Sequence, residues 1–165
     1  MTAEDLPVPP PAPVSAETRA AIADLDSRWA WAVDRHQYEA LREILAPDVT
    51  YSGHHGELRG AETVIASYRA RTGTRTTRHG LGNQVLGQVD ETTVRGISTW
   101  HNFASNDPSP GVPQVYLIAD FADTYVRLES GWRLGERVIR GVFRDPRLAP
   151  DAVPGPMMNG GDLRG

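Results

Sequence analysis

Arg28-Trp29-Ala30-Trp31-Ala32-Val33-Asp34 sets one acid at the end of an almost wholly apolar run. Upstream, Ile22 and Leu25 join Trp29, Ala32 and Val33 at helical spacing. Ser15 is a good N-cap for this helix, and Glu17 suits its positive first turn. At about 100° per residue, Asp34 falls opposite Leu25, off the apolar stripe. Its own side carries Ala23, Ser27, Ala30 and Trp31, which are small or aromatic and make a poor solvent face. The helix is therefore expected to be covered on two sides, one packing on a sheet and the other bordering a cavity.

The chain around this helix reads as one domain, residues 15–145, between a proline-rich N-terminal tail (1–14) and a Pro/Gly-rich C-terminal tail (146–165). In the first tail the Leu6–Val14 run is expected to be extended, because proline fixes φ and removes donors. A second short helix is expected over Glu39–Leu45, ended by Pro47. A short strand, Val49–Ser52, comes next, then a loop from His54 to Gly60 and a third helix from Ala61 to Arg71. Four extended segments complete the domain: His79–Val89, Thr92–Phe103, Gln114–Leu128 and Trp132–Phe143. Helices first and then an antiparallel run of strands predict an α+β fold, with helices packed on one face of a curved sheet.

Composition excludes several chemistries. The chain has no cysteine, so disulfides, thiolate nucleophiles and cysteine-ligated metals are out. All 17 basic residues are arginine, so Schiff-base and P-loop lysines are absent too. A net charge of −4 with mixed signs argues against a nucleic-acid partner. No apolar run reaches the ~18 residues of a membrane span. The expectation is a cytoplasmic protein with no membrane partner. His54 and His55 invite a metal reading, but neighbours on extended chain point to opposite sides. No metal and no cofactor are expected.

Several local sequences in their order resemble the SnoaL-like family of the nuclear-transport-factor-2-like fold. They are Trp29-Ala-Trp-Ala-Val-Asp34, Tyr38-Glu-Ala-Leu-Arg42, Ala46-Pro-Asp-Val49 and Gly60-Ala-Glu. Then come Thr77-Arg-His79 with Gly82-Asn83, Asp123 with Arg127, and Gly131-Trp-Arg-Leu134. The resemblance spans about residues 16–144 and takes in scytalone dehydratase, ketosteroid isomerase, bile-acid 7α-dehydratase and hexachlorocyclohexane dehydrochlorinase. It implies a cone-shaped α+β barrel, its helices on a strongly curved antiparallel sheet that encloses an apolar pocket. It also implies a homo-oligomer, dimer or trimer. Asp34 matches the acid ending the first helix of the dehydratases, and His79 the histidine of their Thr-X-His segment; in those enzymes the two form a dyad. Two departures stand out. Val33 replaces a tyrosine before the acid, and Ala104 stands where scytalone dehydratase has a second histidine. His101 has the opposite strand parity.

An aspartate that accepts a bond from one imidazole nitrogen fixes the tautomer and steadies the imidazolium. The other nitrogen can then take a proton from carbon, since an unperturbed histidine titrates near neutrality. The expected function is a cofactor-independent lyase (dehydration or other β-elimination) or isomerase, acting on an apolar hydroxyl- or carbonyl-bearing small molecule. Asp34 and His79 are the candidate catalytic pair. Trp31, Tyr51, His55, Asn102 and Arg140 are the candidate substrate-binding residues. Two alternatives stand beside this reading. One is a polyketide cyclase or hydrolase using Asp120 or Asp123 as acid/base. The other is a non-catalytic small-molecule-binding or dimerisation domain, which predicts a filled interior and Asp34 in a surface salt bridge. Met157 and Met158 in the second tail are candidates for a lid, though a mobile end is the preferred expectation.

Overall fold

The structure, a computed structural model, describes residues 6, 9–53, 56–109 and 111–151. Helix α1 spans Ala16–Asp34 and is capped as expected, the Thr18 amide donating to Ser15 Oγ. A 3₁₀ turn, Tyr38–Glu43, leads into β1 (Leu45–Gly53) and β2 (Gly56–Arg59). Helix α2 (Ala61–Arg69) follows, then β3 (Thr76–Asp90), β4 (Thr93–Ser105), β5 (Gln114–Leu128) and β6 (Gly131–Arg144). The fold is α+β: the helices pack against a curved six-stranded sheet in the order β2-β1-β6-β5-β4-β3.

Several details depart from the sequence reading. The sheet is open, with β2 and β3 as its edges, and β1 runs parallel to β6 while the other pairs are antiparallel. The expected second helix is a six-residue 3₁₀ turn, and Pro47 lies inside β1 rather than ending a helix. The β1–β6 register shifts between Leu45 and Thr50, around Pro47. A proline has no ladder donor to give, so an irregularity is where a strand tolerates it. The segment 54–60, read as a loop, contains β2.

The core lies between α1, α2 and the concave face of the sheet, around Ile22, Trp29, Val33, Leu41, Val49, Ile65, Trp100, Phe121 and Leu134. Trp132 packs against it, half-buried. Along α1, Asp26, Ala30 and Asp34 fall at steps of four and so share one line of the helix. That line faces β3: Gln84 Nε2 donates to Asp26 Oδ2 at 2.7 Å, and the His79 amide donates to Asp34 Oδ2 at 2.9 Å. Two carboxylates thus moor the helix to an edge strand, and the mooring brings Asp34 to His79.

The proline-rich leader, where it is described, lies against β3. The Gln88 amide donates to Ala12 O, and a methyl on Gly87 would sit 1.9 Å from Pro10 O. Only a glycine leaves room there. At the other end, a 3₁₀ turn at Pro146–Leu148 buries Leu148, and Asp151 O accepts from the Thr72 amide. Met157 and Met158 fall outside the described residues. Among the described residues, no helix is long and apolar enough to cross a membrane.

Candidate functional site

Strand β3 begins Thr76-Thr-Arg-His79, and alternation puts Thr77 and His79 on the inner face. Both meet the last residue of α1. His79 Nδ1 lies 2.6 Å from Asp34 Oδ1, and Thr77 Oγ1 donates to the same oxygen at 2.7 Å. With the His79 amide on Oδ2, one carboxylate takes three bonds from a single stretch of strand. The dyad side chains are only 8% and 6% exposed. Burial alone would raise the Asp34 pKa, but the bonds and charge from His79, with help from Thr77, outweigh it and hold it below the ordinary value. The carboxylate is therefore kept ionised at the imidazole.

The second ring nitrogen is engaged as well. Asn102, opposite His79 in the β3–β4 register, places Nδ2 2.8 Å from His79 Nε2. An amide donor at Nε2 requires a lone pair there, so the neutral ring carries its proton on Nδ1, toward Asp34. Asn102 Oδ1 and Trp29 Nε1 are both buried without a hydrogen-bond partner among the described residues. The Trp29 ring stands edge-on to His79 at 5.2 Å. Unpaired buried polar atoms are uncommon and costly, and these two flank the dyad.

The hollow expected over the dyad is largely filled. Trp29 packs edge-on against Trp100 and Phe121, and the Arg137 guanidinium carbon lies 4.4 Å from the centre of the Trp29 ring. Two cavities open beside the dyad instead, and Thr77 borders both. One, about 270 Å³, lies among Thr76, Arg78, Phe103, Ala104 and Val112; Arg78 and Phe103 pair in register and, by alternation from His79 and Asn102, face away from the dyad. The other, about 90 Å³, lies at the end of α1 against Val33, Tyr38, Arg71 and Arg75.

The candidate residues divide as follows. Asp34, His79 and Asn102 come together. Tyr51 points inward, its hydroxyl 3.0 Å from that of Tyr68, and burial raises its pKa well above the ordinary value. Trp31 does not line a pocket: it is 59% exposed, and Arg35 stacks on its ring at 5.0 Å. On the same face Ala30 is buried but Ala23 and Ser27 are exposed, so that side of the helix is covered only near its C-terminal end. Arg140 pairs in register with Asp120, three residues from the inward Asp123 on an unbroken stretch, and so lies on the sheet's other face. His55 lies outside the described residues.

The arginine that does enter the interior is Arg137, fully buried. Its Nε and Nη2 each lie 2.8 Å from an oxygen of Asp123, and Nη2 is 3.2 Å from Asp26. Tyr125 Oη bonds to both carboxylates. Asp123 is thus bound in the core, not at a sheet edge, and Asp120 accepts from Thr99 on the other face. Asp26 went unread, although it falls on the Ile22–Leu25–Trp29–Val33 stripe, where a charge is out of place.

Asp26 carries a measurable signature. Burial, with Asp123 adding, pushes its pKa from 3.8 up to about 6, against the opposing pull of Arg137, Gln84 and Tyr125. The folded chain binds this proton more tightly than the unfolded one. Asp26 therefore favours folding most below about pH 4, and that contribution is lost as pH rises to about 6, on the order of 2–3 kcal/mol. In Asp26→Asn this loss disappears. Urea unfolding at several pH values should show the variant gaining on the wild type between pH 4 and 6; parallel curves would contradict it.

With this geometry in place, the chain can be set beside known proteins. A family model described as a SnoaL-like domain matches residues 14–138. The chain belongs to that family. Among solved structures, this SnoaL-like domain is similar to Aln2 from a Streptomyces species (21% identity, TM-score 0.70, covering 79% of this chain and 94% of that one). LinA is 23% identical with a TM-score of 0.64, over 84% and 91% of the two chains. A protein from Novosphingobium aromaticivorans provisionally named a scytalone dehydratase is 18% identical, with a TM-score of 0.65 over 78% and 89%. At these identities the likeness is one of fold. No curated protein matches the sequence.

Proposed function

We propose that this SnoaL-like domain is a cofactor-independent lyase or isomerase in which His79 moves a proton and Asp34 orients it. One observation carries the reading: a buried imidazole whose Nδ1 is fixed by an ionised carboxylate and whose Nε2 keeps its lone pair. The reaction follows from that tautomer. Nε2 takes a proton from a carbon next to a carbonyl, and the electron pair left behind forms a double bond. In a dehydration the imidazolium gives that proton to the β-hydroxyl, whose C–O bond breaks as water leaves; in an isomerisation the proton returns to another carbon. Asp34 stabilises the imidazolium formed in between.

Access to Nε2 requires Asn102 to swing aside. Substrate replaces the Asn102 amide at Nε2, and the freed amide donates to the substrate oxygen where negative charge develops. The packed interior is the observation favouring the second reading, a non-catalytic small-molecule-binding domain. The two part at Asp34, which lies in a buried dyad and not in a surface salt bridge.

The test is turnover of hydroxy-carbonyl compounds by purified protein, with His79→Ala as the control. Loss of the base is expected to lower kcat by about 10²–10⁴-fold with the fold intact by circular dichroism. Equal turnover by wild type and variant overturns the dyad, and no turnover by the wild type leaves the binding-domain reading.

A further inference from the structure

The smaller cavity, about 90 Å³, lies between the end of α1 and the turn after α2. Its volume equals roughly three water molecules, too small for a whole substrate and right for a carboxylate or phosphate group. Its walls are cationic. Arg71 stacks on Tyr68 at 4.3 Å, and Arg75 on Tyr116 at 4.9 Å. Among the described residues, no carboxylate comes within ion-pair distance of either guanidinium, and the Arg75 bonds go to neutral oxygens, Asn106 Oδ1 and Leu148 O. Arg75 Nε is buried with no partner among the described residues. Burial pulls the Arg75 pKa down, and the like charge of Arg71 adds to that, while Tyr116 and Asp151 oppose it. Asp151 is the carboxylate that acts on Arg75, while the ionised Asp34 lies behind Thr77, its charge taken up by the Thr77 hydroxyl and His79.

Two further groups point the same way. His36 borders the cavity and stacks on Tyr38 at 5.7 Å. Its φ is +57°, the one non-glycine value of that sign among the described residues. It stands just past α1 where glycine is the usual choice, so a side chain is kept at a backbone penalty. The Tyr38 phenol is held protonated, because burial raises its pKa more than the two arginines lower it. It is available as a donor.

We propose that this cavity is an oxyanion site, in which Arg71 and Arg75, with Tyr38 and His36, hold a carboxylate or phosphate group of a small molecule. Thr77 forms part of its wall and donates to Asp34, and Val33 precedes Asp34, so the bound anion sits beside the dyad. The substrate of the dyad is then an acid, apolar in its body and anionic at one end. That last step rests on the function proposed above; the anion site itself does not.

Calorimetric titration with benzoate and with inorganic phosphate, at fixed ionic strength, tests it. Wild type is expected to bind at least one of them saturably, and the tighter of the two names the group. Arg75→Gln and Arg71→Gln should each weaken binding by about 10- to 100-fold, as loss of a charged hydrogen bond does. His79→Ala should bind as the wild type does, which separates this site from the dyad. Among the described residues Arg71 makes no bond to the main chain in its stacked position, so its variant keeps the test valid should Arg75→Gln fail to fold by thermal melting. No saturable binding by wild type, or binding that Arg71→Gln leaves unchanged, overturns the site.

Discussion

Arg137→Met is expected to lower the unfolding free energy by about 3–5 kcal/mol at neutral pH, measured by urea denaturation. Arg137 is fully buried, and its charge is what makes two interior carboxylates tolerable. Methionine fills much of the volume and keeps contact with Trp29 and Phe121, so the loss isolates the charge. Asp123 loses two 2.8 Å bonds at once, and Asp26 loses its cation. Domains of this size are stable by only about 5–15 kcal/mol, so the variant sits near the edge of folding. The deficit should narrow at low pH, where the carboxyl groups are neutral and need no cation. Adding Asp123→Asn to Arg137→Met should recover part of the loss, since it removes the uncompensated charge. A single variant as stable as the wild type at pH 7 would show that the ion network is not closed to water.

How far the sequence discloses this centre depends on strand parity and helix phase. Parity puts Arg137 and Arg140 on opposite faces but does not say which face is inward; that is set by Tyr125, Leu134 and the bulge between Thr124 and Tyr125. Helix phase does expose Asp26, since a charge amid Ile22, Leu25, Trp29 and Val33 needs a buried partner. Its partners lie 58, 99 and 111 residues away, beyond the reach of local pattern. Asp34 and His79 were found through the order of short motifs, and their contact depends on the same helix line that holds Asp26. Trp31 misled because an aromatic beside the acid resembles a pocket wall; a stacked arginine one turn later, Arg35, satisfies it at the surface. The filled interior has no sequence signal, because Trp29, Trp100 and Phe121 are ordinary core residues until their rings are seen to meet.

Asp34→Asn should cut turnover about as deeply as loss of the base itself, although it changes one atom. The carboxylate accepts three bonds: from Thr77 Oγ1 and His79 Nδ1 on one oxygen, and from the His79 amide on the other. An asparagine has one acceptor oxygen. If that oxygen stays toward Nδ1, the new NH₂ group faces the His79 amide, donor against donor, and a buried N–H goes unpaired at a cost of about 1–3 kcal/mol. If the amide flips, its NH₂ faces Nδ1 and the ring must carry its proton on Nε2, the nitrogen that should receive the substrate's. Wrong-tautomer variants of this kind lose roughly 10⁴-fold elsewhere, so about 10²–10⁴-fold in kcat is expected here, with a smaller change in KM. Nitrogen-detected NMR of His79 decides between the two: the flipped case shows the proton on Nε2, and the wild type shows it on Nδ1. Thr77→Val provides the contrast. It removes one bond to the same oxygen and leaves the tautomer alone; that bond is present before and during proton transfer alike, so kcat should fall by less than about tenfold. Equal losses in the two variants would mean that Asp34 acts only as a structural anchor for β3.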